Sequence, residues 1–303
     1  MNQPDDALAG PPLLEVAGLQ KSFVTRRNLF GRPVSHEHAV RGVSFSLQRG
    51  RTLGIVGETG AGKSTVGRLV LRLTEPDSGS VRLLGEDVLA SGQRGLRRLR
   101  RRAQMIFQDP FASLDPRMVI GTSVGEPLLL HEGLRGARQA DRVGELLGRV
   151  GLRPEMADRY PHEFSGGQLQ RIAIARALAT NPDLIICDEP VAALDVSVQA
   201  QVLNLLLDLQ AERGLGYVFI SHDLSLVRSF AHEVAVMNHG EVVEFGPGAE
   251  LFDNPQHPYT QELVAAIPVT GPGRRRTNAA AAGPPSSPAT RPVVPPLLEG
   301  QST

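Results

Sequence analysis

Gly57-Glu58-Thr59-Gly60-Ala61-Gly62-Lys63-Ser64 is the stretch that decides how this 303-residue chain folds. Before it, Thr52–Val56 is a short apolar run that reads as a buried strand; after it, Ser64–Leu73 reads as a helix. A turn of spacing G-x-x-x-x-G-K-S between a strand and a helix is a cradle for phosphates. Glycine lets the backbone wrap closely and turn its N–H groups towards phosphate oxygens. The start of the helix adds a positive partial charge. Gly57, Gly60, Ala61, Gly62 and Thr65 lie along this cradle, Lys63 is placed to reach β- and γ-phosphates, and the Ser64 hydroxyl suits Mg²⁺.

Such a cradle needs a carboxylate at the end of a neighbouring buried strand. Leu184-Ile185-Ile186-Cys187-Asp188-Glu189 supplies two. Asp188 is the candidate for Mg²⁺ and Glu189, one residue on, the candidate to polarise water. Cys187 reads as a small buried hydrophobe. A lone cysteine excludes a disulfide or an all-cysteine metal site within one chain.

Outward from these two sites the apolar pattern alternates between strand and helix. Leu13–Val16 and Val43–Leu47 read as strands, with Arg26–His38 as a loop between them. Met105–Phe107 is a short strand, and Ser113 to about Tyr160 has helical spacing. Leu169–Ala179 and Val198–Leu209 read as helices, the latter with a packing stripe of Val202, Leu205, Leu206 and Leu209. Tyr217–Ile220 is a further strand, and Val234–Met237 with Val242–Glu244 form a terminal hairpin around Asn238-His239-Gly240. Strands alternating with helices predict an α/β fold with a mostly parallel sheet. From Gly271 the chain is rich in Pro, Ala, Gly and Ser and is expected to be disordered.

Basic and acidic residues balance, 32 against 32, so no global field points to nucleic acid. The only lysines are Lys21 and Lys63. Arg94, Arg97, Arg98, Arg100, Arg101 and Arg102 form a local cluster without interleaved aromatics, which reads as a solvated helix face. The acidic start lacks the regions of a signal peptide, and no apolar run reaches membrane-spanning length. The expectation is a cytoplasmic protein that touches the membrane through partners.

Phe164-Ser165-Gly166-Gly167-Gln168-Leu169-Gln170-Arg171 closely resembles the L-S-G-G-Q signature of ABC ATPases. With the cradle, it identifies the chain as similar to the P-loop NTPases of ABC transporters. That resemblance implies an antiparallel β subdomain and a helical subdomain at about 109–165 beside the core sheet. It implies that Phe23 stacks on adenine, that Gln108 touches Mg²⁺ or water, and that Asp195 belongs to the dimer-seam loop. It also implies that His222, in Ser221-His222-Asp223, meets the γ-phosphate. Ser165, Gly166, Gly167 and Gln168 of one subunit would complete the ATP site of a second, packed head to tail. Catalysis would then rest on Glu189, His222, Gln108 and Lys63, and metal binding on Ser64, Gln108 and Asp188.

Three stretches resemble the oligopeptide and dipeptide importer ATPases: 106–116, 187–191 (with Asp188-Glu189-Pro190) together with 194–200, and Asn254-Pro255-Gln256-His257-Pro258-Tyr259-Thr260 running on to Ala266-Ile267-Pro268. The implied organisation is a polar tail at 1–12, an ATPase domain at 13–245, a C-terminal extension at 246–268 and a tail at 269–303. The implied partners are two permeases, a second ATPase subunit and, indirectly, an extracytoplasmic solute-binding protein, on the cytoplasmic face of the cell membrane. Nickel and glutathione are cargoes of related ATPases; a soluble ABC ATPase working on nucleic acid or ribosomes is the rival reading. Two departures stand out: Ala192 where the family has Ser, and no cysteine after Pro268, so no iron–sulfur cluster is expected.

Overall fold

Apolar runs dictate the centre of the molecule, seen here in a computed structural model that describes residues 10–27 and 33–267. The strands are β1 (Leu14–Arg27), β2 (Pro33–Leu47), β3 (Thr52–Val56), β4 (Ser78–Leu83), β5 (Glu86–Asp87), β6 (Ala103–Ile106), β7 (Leu184–Asp188), β8 (Gly216–Ser221), β9 (Glu233–Asn238) and β10 (Glu241–Pro247). The helices are α1 (Lys63–Val70), α2 (Gln93–Arg102), α3 (Ile120–Glu132), α4 (Gly136–Arg149), α5 (Gly166–Leu178), α6 (Val196–Arg213), α7 (Leu224–Phe230), α8 (Gly248–Asp253) and α9 (Pro258–Ala265).

The core sheet has the order β10-β9-β3-β8-β7-β6. Every pair is parallel except β10 with β9. All residues of β3, β7 and β8 are buried, as continuous apolar strands covered on both faces must be. Successive side chains point to opposite faces. Ile185, Cys187, Tyr217 and Phe219 therefore join the core shared with α3–α6. Leu184, Ile186, Val218 and Ile220 join the core shared with α1 and the second sheet. The register aligns Val56 with Ser221 and Asp188 with Ile220, so the loops after β3, β7 and β8 open on one edge. In an open parallel sheet that edge is where ligands bind.

The second sheet is antiparallel, in the order β2-β1-β4-β5. Here the sequence reading of Arg26–His38 as a loop is corrected. β1 continues to Arg27, β2 begins at Pro33, and the ladder pairs Phe23 with Glu37 and Arg26 with Ser35. The arm escapes detection because Phe23, Val24, His36, Glu37 and His38 are all exposed, and exposed positions impose no alternation.

The helical stretch divides into α3, ended by Gly133 at φ 69°, then α4, then short 3₁₀ turns at Pro154–Asp158 and Pro161–Glu163. Ile120, Val124, Leu128, Val143, Leu146, Leu147 and Val150 all turn into the core. Helix α6 is longer than its apolar stripe suggests, and buries Val202, Leu203, Leu206 and Leu209.

The arginine cluster lies on α2, and most of it is spoken for. Arg98 pairs with Glu86, Arg101 with Glu132 at 2.8 Å, and Arg102 with Asp183. Arg97 donates to the Leu130 carbonyl, and Arg100 to the carbonyls of Leu71 and Arg72. The helix face is solvated as expected, but its guanidinium groups also clamp α2 to the elements around it. Among the described residues, no helix is long and apolar enough to cross a membrane. The two tails read from sequence, apart from Gly10–Pro12, lie outside the described residues.

Candidate active site

The loop after β3 has to be glycine. Gly57 has φ 148°, and a Cβ there would stand 2.1 Å from the Met237 carbonyl oxygen; Gly62 has φ 97°, and a Cβ there would stand 2.0 Å from that of Ala39. No side chain fits, so the loop wraps at the radius set by its backbone and delivers the chain into α1 at Lys63. Lys63 is buried, and its Nζ donates to the Gly57 and Glu58 carbonyls at 2.7 and 2.8 Å. Burial lowers its pKa from the ordinary value, opposed by the Glu189, Asp188 and Glu58 carboxylates.

Next to it, the Ser64 hydroxyl donates to Asp188 Oδ1 at 2.6 Å. Asp188 is 2% exposed at the end of β7, and burial raises its pKa even though the Ser64 hydrogen bond lowers it. Glu189 turns the corner with φ 47°, a left-handed conformation uncommon outside glycine. That corner leaves its N–H donating to the Ile220 carbonyl at 3.0 Å. It also sends the carboxylate into the cleft, where Oε2 accepts from Gln108 Nε2 at 2.9 Å and Oε1 lies 3.2 Å from His222 Nδ1. Backbone strain of this kind clusters at functional sites.

Lys63, Ser64, Gln108, Glu189 and His222 line a single cleft of about 470 Å³ with Phe23, Glu37, Ala39, Thr59, Gly60, Gly62 and Thr65. Gly57, Ala61 and Asp188 do not line it, and Asp188 is joined to it through the Ser64 hydroxyl. Phe23 is 42% exposed, with Lys21 Nζ 5.6 Å from its ring centre and held by Asp77 at 2.8 Å. Ser165, Gly166, Gly167, Gln168 and Asp195 do not line this cleft. Ser165 caps α5 through a reciprocal pair: its hydroxyl accepts from Gln168 N–H, and the Gln168 side chain accepts from Ser165 N–H. A Cβ on Gly167 would strike Val198 at 2.4 Å, so the start of α5 fits closely against α6. Asp195 is the cap position of α6, with Val196 beside it 81% exposed.

The donor set fits the groups expected there. Gly57 and Gly62 leave no room for a side chain, and Ser64 with Asp188 offers hard oxygens, the class Mg²⁺ takes with few protein ligands and several waters. Among the described residues no cluster of three or more His, Cys, Asp or Glu side chains could hold a metal by itself. Cys187 is fully buried, and burial pushes its thiol pKa far up, as a core residue requires. Sequence reasoning missed two neighbours of the loop. Glu37 lies in the arm read as a loop. Tyr259, noted only as part of the His-Pro-Tyr stretch, accepts from the Glu58 N–H at 3.1 Å.

Residues 40–192 match the ABC transporter family, and residues 243–292 match the C-terminal region of the oligopeptide/dipeptide transporter family. The glutathione import ATP-binding protein GsiA of Salmonella choleraesuis is 55% identical over 90% of this chain. The chain spans only 44% of the length of that relative. Among solved structures, cbiO1 from Clostridium perfringens, part of the ABC transporter complex cbiONQ, superposes with a TM-score of 0.68 at 28% identity, covering 80% of this chain and 91% of that one. A dimeric, post-hydrolysis ATP-binding cassette bound to ADP and Pi gives a TM-score of 0.68 at 28% identity, covering 77% and 98%. The family match takes in half of the chain, from the end of the β1–β2 arm through the glycine-rich loop to Glu189, and the chain belongs to the ABC transporter family.

Proposed function

We propose that this chain is an ATP-hydrolysing subunit of an importer for small peptide-like solutes, glutathione foremost among them. One observation carries the reading: a single cleft gathers Gly60 and Gly62 of the loop, Lys63, a Ser64 hydroxyl bonded to Asp188 behind it, and a Glu189 carboxylate held by Gln108 and His222. The relatives named for glutathione import support the cargo.

In this reading Phe23 stacks on adenine, worth about 1–3 kcal/mol. The loop N–H groups and the start of α1 receive the phosphates, and Lys63 exchanges its two carbonyl partners for phosphate oxygens. Ser64 and Asp188 would hold Mg²⁺, which would supply positive charge against the charge building on the phosphate oxygens. Glu189 orients a water molecule and accepts its proton as the water oxygen bonds to the γ-phosphorus and the bond to the β–γ bridging oxygen breaks. His222 and Gln108 keep the carboxylate aimed. Ser165 and Gly167, remote from their own cleft, complete the cleft of a second ATPase subunit, where the start of α5 faces the γ-phosphate.

A groove between β6, α3 and α5, lined by Met105, Phe107, Pro127, Leu130 and Ala173, suits a helix from a membrane permease. It begins one residue from Gln108, so a partner seated there is linked to the cleft. The protein would thus work on the cytoplasmic face of the cell membrane through its partners. The rival, action on nucleic acid, draws little support from α2, whose arginines are largely paired.

The test is to purify a tagged Glu189→Gln variant with ATP from solubilised membranes of its host, then to measure ATP-driven uptake of radiolabelled glutathione by vesicles carrying the wild-type complex. Two polytopic subunits and saturable uptake are expected. Recovery with ribosomes or DNA in the soluble fraction would overturn the transport reading; a complex that transports other solutes would overturn only the cargo.

A further inference from the structure

We propose that Tyr259 is a positioning residue for the phosphate-binding loop, delivered to it by the C-terminal extension. The proposal rests on the reading of the cleft as an ATP site. The peptide unit between Gly57 and Glu58 is held at both ends. Its carbonyl accepts from Lys63 Nζ at 2.7 Å, and its N–H donates to the Tyr259 hydroxyl at 3.1 Å, across 201 residues of sequence. This unit follows the glycine at φ 148°, a conformation that L side chains rarely adopt, so its orientation is set by the partners that hold it. When Lys63 turns to a phosphate it gives up the Gly57 carbonyl. Tyr259 then remains as the side-chain anchor of that peptide plane.

The extension is built to present this hydroxyl. Glu244 of β10 accepts the N–H groups of Gln256 and His257 at 2.8 and 3.0 Å, which seats the turn that follows α8. His257 Nδ1 accepts the Tyr259 N–H at 3.2 Å and so caps α9, and Pro258 occupies the first helical position, where its missing N–H is not needed. Tyr259, Leu263, Val264 and Ile267 pack against the main core. A ring fixed by packing and a cap holds its hydroxyl at one place. Burial raises the phenol pKa, so the group stays neutral.

The experiment uses the full chain with Tyr259→Phe, which keeps the ring and removes the oxygen. Three quantities are read: hydrogen exchange of the Glu58 amide without nucleotide, the dissociation constant for Mg-ATP, and the thermal midpoint. Faster exchange at Glu58 and an Mg-ATP constant raised about three- to tenfold are expected, the size of one lost hydrogen bond. A purely structural tyrosine would lower the thermal midpoint and leave the constant of the folded protein unchanged. Unchanged exchange at Glu58, or unchanged affinity beside faster exchange, would overturn the proposal while the ATP site stands. Failure of the wild type to bind Mg-ATP would instead bring down the reading of the cleft, and this proposal with it. If Tyr259→Phe does not fold, Glu244→Gln, which loosens the seat without touching the loop, is measured in the same way, with the same criteria.

Discussion

His222 Nδ1 stands 3.2 Å from Oε1 of Glu189, on a carboxylate whose other oxygen is already taken by Gln108. Two side chains from two different loops thus fix the direction of one carboxylate. Glu189→Gln should leave Mg-ATP affinity within about threefold and lower turnover by roughly 10²–10⁴. His222→Ala should lower turnover with a smaller effect on affinity. Steady-state hydrolysis combined with equilibrium nucleotide binding checks both, and near-normal turnover in Glu189→Gln would remove its assigned role.

Gly62→Ala tests the cradle by sterics alone. Its methyl group would overlap the Ala39 carbonyl oxygen at 2.0 Å, on a backbone at φ 97°. The loop must shift to admit it, and Mg-ATP binding should weaken by at least about tenfold, the effect expected when a well-aimed set of phosphate contacts is displaced. Calorimetric titration reads this directly. Affinity equal to wild type would mean that the loop is not the phosphate site.

Ser165 lies outside its own chain's cleft, so its loss should spare nucleotide binding and remove turnover. Ser165→Ala also loses a helix cap worth about 1 kcal/mol, visible as a modest fall in thermal midpoint. Mixed with Lys63→Ala, which keeps an intact Ser165, it should regain part of the activity that neither variant has alone, because one composite site of the mixed pair is then whole. Absence of any recovery in the mixture would argue against completion between subunits.

Asp183 anchors the sheet to the arginine-rich helix. It accepts from Arg49 at 2.8 Å and from Arg102, with its side chain 12% exposed. Burial opposes its charge, yet the two guanidinium groups hold its pKa below the ordinary 3.8. A depressed carboxylate pKa stabilises the fold above the unfolded value, and that stability is lost as pH falls through the folded value. Asp183→Asn should therefore cost about 1–2 kcal/mol at pH 7, with both arginines half exposed. The gap between variant and wild type should narrow once the pH drops below 3.8. Denaturant melts at pH 7 and pH 3 check the sign; a gap that widens in acid would refute the assignment.

Much of this was legible from residues 52–64 and 184–189, because buried parallel strands are continuous apolar runs and a glycine cradle admits few alternatives. The β1–β2 arm was not. Phe23, Val24, His36, Glu37 and His38 face solvent, so this part of the ladder is held by backbone pairing that leaves no mark in hydropathy. Strand β4 hides for another reason: Gly79 sits where a Cβ would meet Leu19 Cα at 2.6 Å, so a strand position carries a residue that reads as a turn. Contact of Tyr259 with the loop joins residues 201 positions apart, and no local pattern encodes it.

The left-handed backbone of Glu189 sets two selection pressures against each other. Judged by folding alone, asparagine or glycine would sit more easily at φ 47°, since either tolerates that conformation better than a long side chain does. A search for heat-resistant variants that ignored turnover would drift towards them and arrive at a sturdier, inert protein. Position 189 keeps a residue less suited to its backbone, and both of the oxygens it brings are engaged, one by Gln108 and one beside His222.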